Sequence, residues 1–189
     1  MIVALAGRRI DAPGAQATRF PLALADSVKQ ALIASLSSVN AKHLVCSGAC
    51  GADLLALQAA EEMGIRKTMI LPFDAGIFRS TSVTDRPGNW GSIFDKLVSE
   101  LKESNGLIEL KYDKADPEVY RNTNYSILDE AQKIAGETKG RNDGPASPGK
   151  MMALIVWEGK SKDADDTTYH FIQEAKKRNF IIKEILSNK

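Results

Sequence analysis

Residues 46–53 read Cys46-Ser47-Gly48-Ala49-Cys50-Gly51-Ala52-Asp53 and stand between two segments of different pattern. Residues 42–45 before them are typical of a strand, and residues 54–64 after them repeat apolar side chains at helical spacing and end in glycine. A turn of small residues between a strand and a helix lets backbone N–H groups approach an anion, which the helix dipole also attracts. The stretch therefore predicts a strand–turn–helix unit with a candidate site for phosphate or a nucleotide.

The neighbouring segments repeat this alternation of strand and helix. Short connections between them imply a doubly wound, mostly parallel Rossmann-like α/β sheet with helices on both faces. In such a sheet ligands bind beyond the carboxyl ends of the strands, so the loops after Ala6, Ser47 and Leu71 are expected to converge on one crevice. The predicted elements of this half are strands at 2–6, 42–47 and 66–72 and helices at 22–37 and 52–63.

The second half of the chain predicts further elements separated by polar segments. Residues 73–89 are expected to be irregular, and loops of that length are often functional. Residues 112–121 predict another loop, leading to a helix capped by Asn122 or Thr123, and residues 138–150 predict a mobile surface loop. The remaining predicted elements are helices at 90–103, 124–137 and 167–178 and strands at 107–110, 152–157 and 180–185. All 189 residues are expected to form one domain.

The composition argues against several classes of protein. The formal net charge of +1 disfavours a dedicated nucleic-acid-binding protein, which normally carries a clustered basic excess. No apolar run approaches the roughly 18–20 residues of a membrane span, and residues 1–6 are expected to be a core strand rather than a signal peptide. The spacing of Cys46 and Cys50 favours two reduced thiols and no metal site. We therefore expect a cytoplasmic protein without a membrane partner.

Three segments together resemble the motifs of one superfamily. Gly7-Arg8-Arg9-Ile10-Asp11 looks like a "GHR-x-D" opening, and residues 47–53 look like an "SG-x-A-x-GAD" turn. Leu71-Pro72-Phe73, followed by Phe78, Ser82-Val83 and Trp90, looks like an "LPF…F…SV…W" segment. Over roughly residues 1–100 the chain thus resembles stand-alone members of the SLOG superfamily, the Rossmann-like group that includes the DprA and LOG-type ("lysine decarboxylase-like") proteins. The later matches are looser: Tyr120, Asn124, Asp129 and residues 156–159.

The resemblance implies binding of a nucleotide or nucleotide-derived small molecule, in some members an NAD-derived or cyclic nucleotide signal. LOG-type members release the base from a nucleoside monophosphate, so a phosphoribohydrolase activity is the alternative. Their "PGG-x-GT-x-x-E" motif is replaced here by residues 159–168, without the double glycine and the following glutamate. Binding of single-stranded DNA in the manner of DprA is a third interpretation, disfavoured by the net charge. A homodimer or higher homo-oligomer is common in this group.

The phosphate groups of such a ligand are expected at the start of the helix near Gly51, with a guanidinium from Arg8 or Arg9. Because side chains alternate along a strand, only one of the two arginines is expected to face the site. Asp11 is expected to orient that arginine or to bind a ribose hydroxyl. Hydrolysis would also need a carboxylate near the anomeric carbon, for which the candidates are Asp53, Glu158 and Asp11.

The remaining candidates lie in the later loops. Ser82 is a polar residue in the long segment over the crevice, and the pair Thr167-Thr168 begins a helix where hydroxyl and N–H groups can bind phosphate. Phe73 either packs in the core, as Phe78 and Trp90 also can, or stacks on a base under the 73–89 segment. The candidate ligand-binding residues are Gly7, Arg8, Arg9, Asp11, Ser47, Gly48, Cys50, Gly51, Ala52, Asp53, Phe73, Ser82, Tyr120, Asn124, Gly159, Thr167 and Thr168.

Overall fold

The computed structural model describes residues 1–137 and 151–189, so the predicted loop at 138–150 lies outside the described residues. The strands are β1 (Ile2–Gly7), β2 (His43–Cys46), β3 (Arg66–Leu71), β4 (Leu107–Glu109), β5 (Met151–Trp157) and β6 (Ile181–Leu186). The α-helices are α1 (Ala25–Ser38), α2 (Ala52–Glu62), α3 (Ala75–Phe78), α4 (Trp90–Glu103), α5 (Val119–Glu137) and α6 (Thr167–Lys177). A 3₁₀ turn at Leu22–Leu24 precedes α1, and a π-helical turn at Arg79–Val83 follows α3.

The strands of the described residues form one parallel sheet in the order β4-β3-β2-β1-β5-β6. The predicted doubly wound α/β fold is therefore confirmed. The chain builds outward from β1 through β2 and β3 to β4, then crosses back to place β5 on the other side of β1. The strand order reverses between β1 and β5, and in doubly wound sheets this is the point where a crevice opens at the carboxyl ends.

Two layers of helices cover the two faces of the sheet. On one face Val3 and Leu5 of β1 share a core with α1, α2 and α4, and on the other Ala4 and Ala6 share a core with α5 and α6. The alternation of β1 side chains thus supplies both cores, as expected for a strand buried on both faces. Within the described ranges, no helix has both the length and the apolar character needed to cross a membrane.

The segment predicted to be irregular at 73–89 contains two helical turns, so that prediction was wrong. The carboxylate of Asp74 accepts hydrogen bonds from the N–H groups of Gly76 and Ile77 and thereby caps α3. Phe78 at the end of α3 is buried, with its ring near those of Phe73 and Phe94. This aromatic cluster fixes the segment over the sheet.

The predicted start of α5 at residue 124 was also wrong, because the helix begins at Val119. The N–H of Val119 bonds to the carbonyl of Asp116, and the Asp116 carboxylate accepts from the N–H of Glu118. Asp116-Pro117 is an acidic residue followed by proline, which is typical of a helix start. Thr123 does not cap the helix, since its hydroxyl donates to the carbonyl of Val119 from inside it.

Candidate functional site

A cavity of about 670 Å³ opens at the carboxyl end of β1, beside the point where the strand order reverses. Leu5, Ala6 and Gly7 contribute to its floor, and its walls come from the loop after β1, the β2–α2 turn, the segment before α4 and the first turns of α5 and α6. A concave site of this size accommodates a nucleotide-sized molecule. The fold thus places side chains from several loops around one cavity.

Most of the predicted ligand-binding residues line this cavity: Gly7, Arg8, Arg9, Asp11, Ser47, Asp53, Ser82, Tyr120, Asn124, Thr167 and Thr168. The other predicted residues lie outside the wall that the described residues form: Gly48, Cys50, Gly51, Ala52, Phe73 and Gly159. The loops after β1, β2 and β3 therefore converge as the topology requires. The sequence suggests that the glycines of the β2–α2 turn bind the ligand, whereas in the structure they allow close packing of the chain.

The β2–α2 turn packs tightly against the chain that leaves β1. Gly51 has a φ of +97°, and a Cβ there would lie 2.8 Å from the Arg8 carbonyl oxygen. The same carbonyl accepts the N–H of Ala52 at 3.1 Å, while the N–H of Cys50 donates to the carbonyl of Ser82. The start of α2 thus donates N–H groups to protein acceptors and holds the loop after β1 and the π-helical turn in place.

The guanidinium of Arg8 is buried in an ion-pair cluster rather than open to the cavity. Its Nε donates to Glu158 at 2.5 Å, and both terminal nitrogens donate to the Asp166 carboxylate at 2.7 Å. The side chains of Arg8, Glu158 and Asp166 are 3%, 4% and 0% exposed. Although burial alone would raise the pKa of Asp166, hydrogen bonds from Arg8 and from backbone N–H groups lower it to about 2. This cluster ties β1 to β5 and α6.

Three other arginines line the cavity with guanidinium groups that are only partly used. Arg9 and Arg86 both pair with Asp85, and Arg19 lies 3.8 Å from Glu158. In each of these arginines one buried nitrogen has no hydrogen-bond partner among the described residues: Nε of Arg9, Nη1 of Arg19 and Nε of Arg86. The three side chains are nevertheless partly exposed, so an anionic ligand in the cavity would accept hydrogen bonds from their accessible N–H groups.

Arg8 and Arg9 both contribute to the cavity wall, but only Arg9 has a partly exposed guanidinium there, which agrees with the expectation that one of the two arginines faces the site. Strand alternation does not apply to them, because β1 ends at Gly7. A Cβ on Gly7 would lie 2.8 Å from the Val156 carbonyl oxygen, which shows how closely the chain passes β5 at this point. Beyond Gly7 the two side chains diverge, Arg8 towards Asp166 and Arg9 towards Asp85.

Of the three carboxylates considered for hydrolysis, Asp53 and Asp11 line the cavity, while Glu158 is held by Arg8 outside its wall. Asp11 accepts the backbone N–H of Arg19 and so closes the loop after β1. Asp53 is only 7% exposed and accepts the N–H of Ala49 at 3.1 Å. Burial raises the pKa of Asp53 to about 7, against the opposing effects of that hydrogen bond and of Arg9.

The wall formed by α5 and α6 is held together by polar contacts. The amide of Asn124 donates to the carbonyl of Thr167 at 3.0 Å, which joins the two helices at the cavity. Asp166 caps α6 by accepting from the N–H groups of Thr168 and Tyr169. Two N–H groups at the start of α6 are therefore already hydrogen-bonded to Asp166, the side chain that also pairs with Arg8.

Sequence reasoning missed three cationic residues of the wall, Arg19, Arg86 and Lys162. Each lies in a loop that follows the carboxyl end of a strand, and this position is the only signal that points to them. The cysteines contribute no ligand group to the wall, since Cys46 and Cys50 are free, as expected, and fully buried.

Comparison of the chain with models of known protein families found no match, and comparisons with curated proteins and with solved structures likewise found none. The fold and site geometry therefore define an α/β protein with a basic cavity at the switch point of a parallel sheet. The resemblance to the SLOG superfamily stays a prediction from the motifs.

Proposed function

We propose that the protein binds a phosphate-bearing nucleotide or nucleotide-derived small molecule in the cavity at the carboxyl end of β1. The observation that carries this proposal is the set of three arginines that line the cavity, Arg9, Arg19 and Arg86, whose side chains are 30%, 31% and 28% exposed and only partly paired with Asp85 and Glu158. Guanidinium groups bind phosphate through paired N–H donors, and the partly desolvated setting strengthens such contacts. The phosphate oxygens of the ligand would accept hydrogen bonds from these guanidinium groups.

The rest of the wall is suited to the less polar part of a nucleotide. The apolar lining comes from both cores, with Leu5 and Phe78 from the core under α2 and α4 and Ala6 and Ile127 from the core under α5. Ser47, Ser82 and Asn124 add side chains that can exchange hydrogen bonds with ribose or base. A cavity with an apolar floor and a basic rim fits a base and sugar with attached phosphate.

The test is isothermal titration calorimetry with a panel of nucleoside phosphates, NAD and cyclic ADP-ribose isomers. We expect binding of at least one member, weakened on the order of tenfold by Arg86→Ala, because one charge-assisted contact is lost. Arg79→Ala is the matched control: Arg79 lies in the same segment and pairs with exposed Asp95 instead of lining the cavity. Absence of binding across the panel at millimolar ligand would refute the proposal.

A second candidate function is cleavage of a nucleotide N-glycosidic bond, and the state of Asp53 favours it. A buried carboxyl group in the cavity wall, with a pKa of about 7, can hold or release a proton near neutral pH. Asp53 would protonate the leaving base as the N-glycosidic bond breaks, water would add to the anomeric carbon, and the proton that water releases would return to Asp53, giving free base and ribose phosphate. Glu158 has no part in this step because its carboxylate is paired with Arg8.

Chromatography of nucleotides incubated with the protein tests this activity. Release of free base by the wild type, abolished by Asp53→Asn and retained by Asp95→Asn, would establish it. Asp95 is a suitable control because it is exposed and paired with Arg79 at the surface. Bound nucleotide recovered intact from the wild type would leave binding as the function and exclude hydrolysis of that ligand.

A further inference from the structure

The basic residues of the cavity divide into two groups on opposite sides of the β1 carboxyl end. Arg8 turns towards Glu158 and Asp166, which follow β5, whereas Arg9 turns towards Asp85, which lies in the segment after β3. In the sheet β3 and β5 are separated by β2 and β1, which corresponds to roughly 14 Å at the usual strand spacing. The cavity thus has an Asp85 end and a Glu158 end.

At the Asp85 end, one carboxylate faces two guanidinium groups. Asp85 pairs with Arg9 and, at 3.7 Å, with the Nε of Arg86, a separation too long for a hydrogen bond. The buried Nε atoms of both arginines lack a partner among the described residues. Asp85 itself does not belong to the described cavity wall, so it holds the two arginines from behind. This end has donors and charge for one anionic group.

At the Glu158 end, the available cations are Arg19 and Lys162, because each guanidinium nitrogen of Arg8 already donates to Glu158, Asp166 or Lys160. The Nη1 of Arg19 is buried without a partner among the described residues. Partial burial lowers the pKa of Lys162, and the positive charges of Arg8 and Arg19 lower it further. Asp11 lies at this end as well, but its carboxylate is used by the backbone N–H of Arg19. An anionic group here would pair with Arg19 and Lys162, whose side chains both line the cavity.

We infer that the ligand carries two phosphate groups, one bound at the Asp85 end and one at the Glu158 end. This inference rests on the proposed nucleotide-binding function and narrows its ligand class to nucleotides with two phosphates. A nucleoside monophosphate fills one end and leaves the unpaired guanidinium donors of the other end unsatisfied. Two phosphates satisfy both groups and leave the apolar floor for the base.

The test compares adenosine 5′-monophosphate, 5′-diphosphate and 3′,5′-bisphosphate by titration calorimetry at one ionic strength. We expect the 3′,5′-bisphosphate, whose phosphates are separated by the ribose, to bind on the order of tenfold more tightly than the monophosphate, from the added charge-assisted contacts. The 5′-diphosphate, whose phosphates share one bridging oxygen, cannot reach both ends, and a gain seen with it alone would overturn the inference. The two two-phosphate compounds distinguish adjacent from separated phosphates. Arg86→Ala and Arg19→Ala should each remove the advantage of the two-phosphate form, and only one of them should weaken the monophosphate.

The controls separate failure of this inference from failure of the proposed function. Measurable binding with equal affinity for all three compounds would overturn the two-phosphate inference and leave nucleotide binding intact. Binding of none would overturn both. Thermal melting checks that each variant is folded. If an alanine variant does not fold, Arg86→Lys or Arg19→Lys replaces it. Arg79→Ala should leave the order of affinities unchanged.

Discussion

The cluster of Arg8, Glu158 and Asp166 combines one buried cation with two buried carboxylates, and its energetic role follows from that imbalance. Arg8→Met fills similar space without the charge, leaving buried Asp166 with backbone N–H partners only and Glu158 with Arg19 at 3.8 Å. We expect the variant to lose about 3–5 kcal/mol of the free energy of unfolding at pH 7, measured by urea denaturation. Arg79→Met, which breaks an exposed pair with Asp95, should lose far less.

The pH dependence of the Arg8 effect provides its control. The pKa of Asp166 in the folded protein is lowered to about 2, so its stabilising contribution is present above the ordinary pKa near 3.8 and is lost as pH falls through 2. The stability difference between the wild type and Arg8→Met should therefore narrow as pH falls below 4, because the unfolded chain binds a proton at Asp166 there while the folded wild type does not until about pH 2. A difference that stays constant from pH 7 to pH 3 would contradict this electrostatic explanation.

The pKa of Asp53 is shifted in the opposite direction from that of Asp166. Its folded-state pKa of about 7 lies above the ordinary 3.8, so between these values the folded protein keeps a proton that the unfolded chain has released. Stability therefore falls as pH rises through this window, by up to about 1.4 kcal/mol per pH unit. Asp53→Asn keeps an acceptor for the N–H of Ala49 and does not titrate. Urea denaturation should show the variant more stable than the wild type at pH 8, without that gain at pH 4.

A matched substitution separates burial from a general charge effect at Asp53. Asp95→Asn at the exposed surface should show no gain at pH 8 relative to pH 4. Equal stability curves for the wild type and Asp53→Asn across this range would mean that Asp53 is ionised in the folded protein at neutral pH. Its candidacy as the proton donor in hydrolysis would then fall as well.

At the scale of single residues, the predictable part of the site is the part with a local cause. The strand-to-helix turn that contains Ser47 and Gly51 was predicted because such a turn needs small residues at adjacent positions, although only Ser47 lines the cavity. Arg19 and Arg86 were missed because their place depends on how two loops fold over the sheet. The burial of Arg8 in an internal ion pair could not be predicted for the same reason, since Glu158 and Asp166 lie 150 or more positions away in the sequence.

At the scale of elements, the junction of β1 with α2 sets the shape of the cavity, and Gly51 is its tightest point. A side chain there would meet the Arg8 carbonyl oxygen at 2.8 Å and the Ile10 nitrogen at 2.9 Å, and its φ is +97°. Backbone strain alone would lower the free energy of unfolding of Gly51→Ala by about 1–3 kcal/mol. We expect a larger loss, because the loop after β1 must also shift. Urea denaturation measures the loss, and nucleotide titration should show weaker binding.

Gly64 offers the control for Gly51. Its φ is +65°, but a Cβ there would meet nothing within 4 Å. Gly64→Ala should therefore show the cost of a left-handed alanine alone, about 1–2 kcal/mol, without a change in ligand binding. Equal losses of stability in the two variants would show that contact with the loop after β1 contributes nothing, which contradicts the role given to the junction.

The elements themselves were predictable to different degrees. The helix at Trp90–Glu103 was predicted at its observed bounds, because its apolar side chains repeat at helical spacing over four turns. The start of α5 was misplaced because the cap was assigned to Asn122 or Thr123 rather than to Asp116-Pro117. The short α3 and the π-helical turn depend on burial of Phe78 against Phe94, a tertiary contact that local pattern does not reveal.

At the scale of the whole molecule, β1 joins the two halves of the sheet. It pairs with β2 along one edge and with β5 along the other, so residues near both ends of the chain share one hydrogen-bonded layer. Each half contains one buried tryptophan: Trp90 begins α4 on the β3 side, and Trp157 ends β5. Single-tryptophan variants can therefore report on the two halves separately.

We expect Trp90→Phe and Trp157→Phe each to unfold in one transition, with the fluorescence midpoint in urea equal to the far-ultraviolet circular dichroism midpoint of the same variant. The reason is that loss of β1 pairing on either side exposes both helix layers, which makes unfolding cooperative. Each substitution also removes an indole hydrogen bond, to the Pro87 carbonyl or to Glu184, so midpoints are compared within a variant and not between variants. A fluorescence transition at clearly lower urea than the circular dichroism transition would show that the half it reports on unfolds independently. The prediction of one domain would then be wrong, and a cavity that draws its walls from both halves would depend on how they dock.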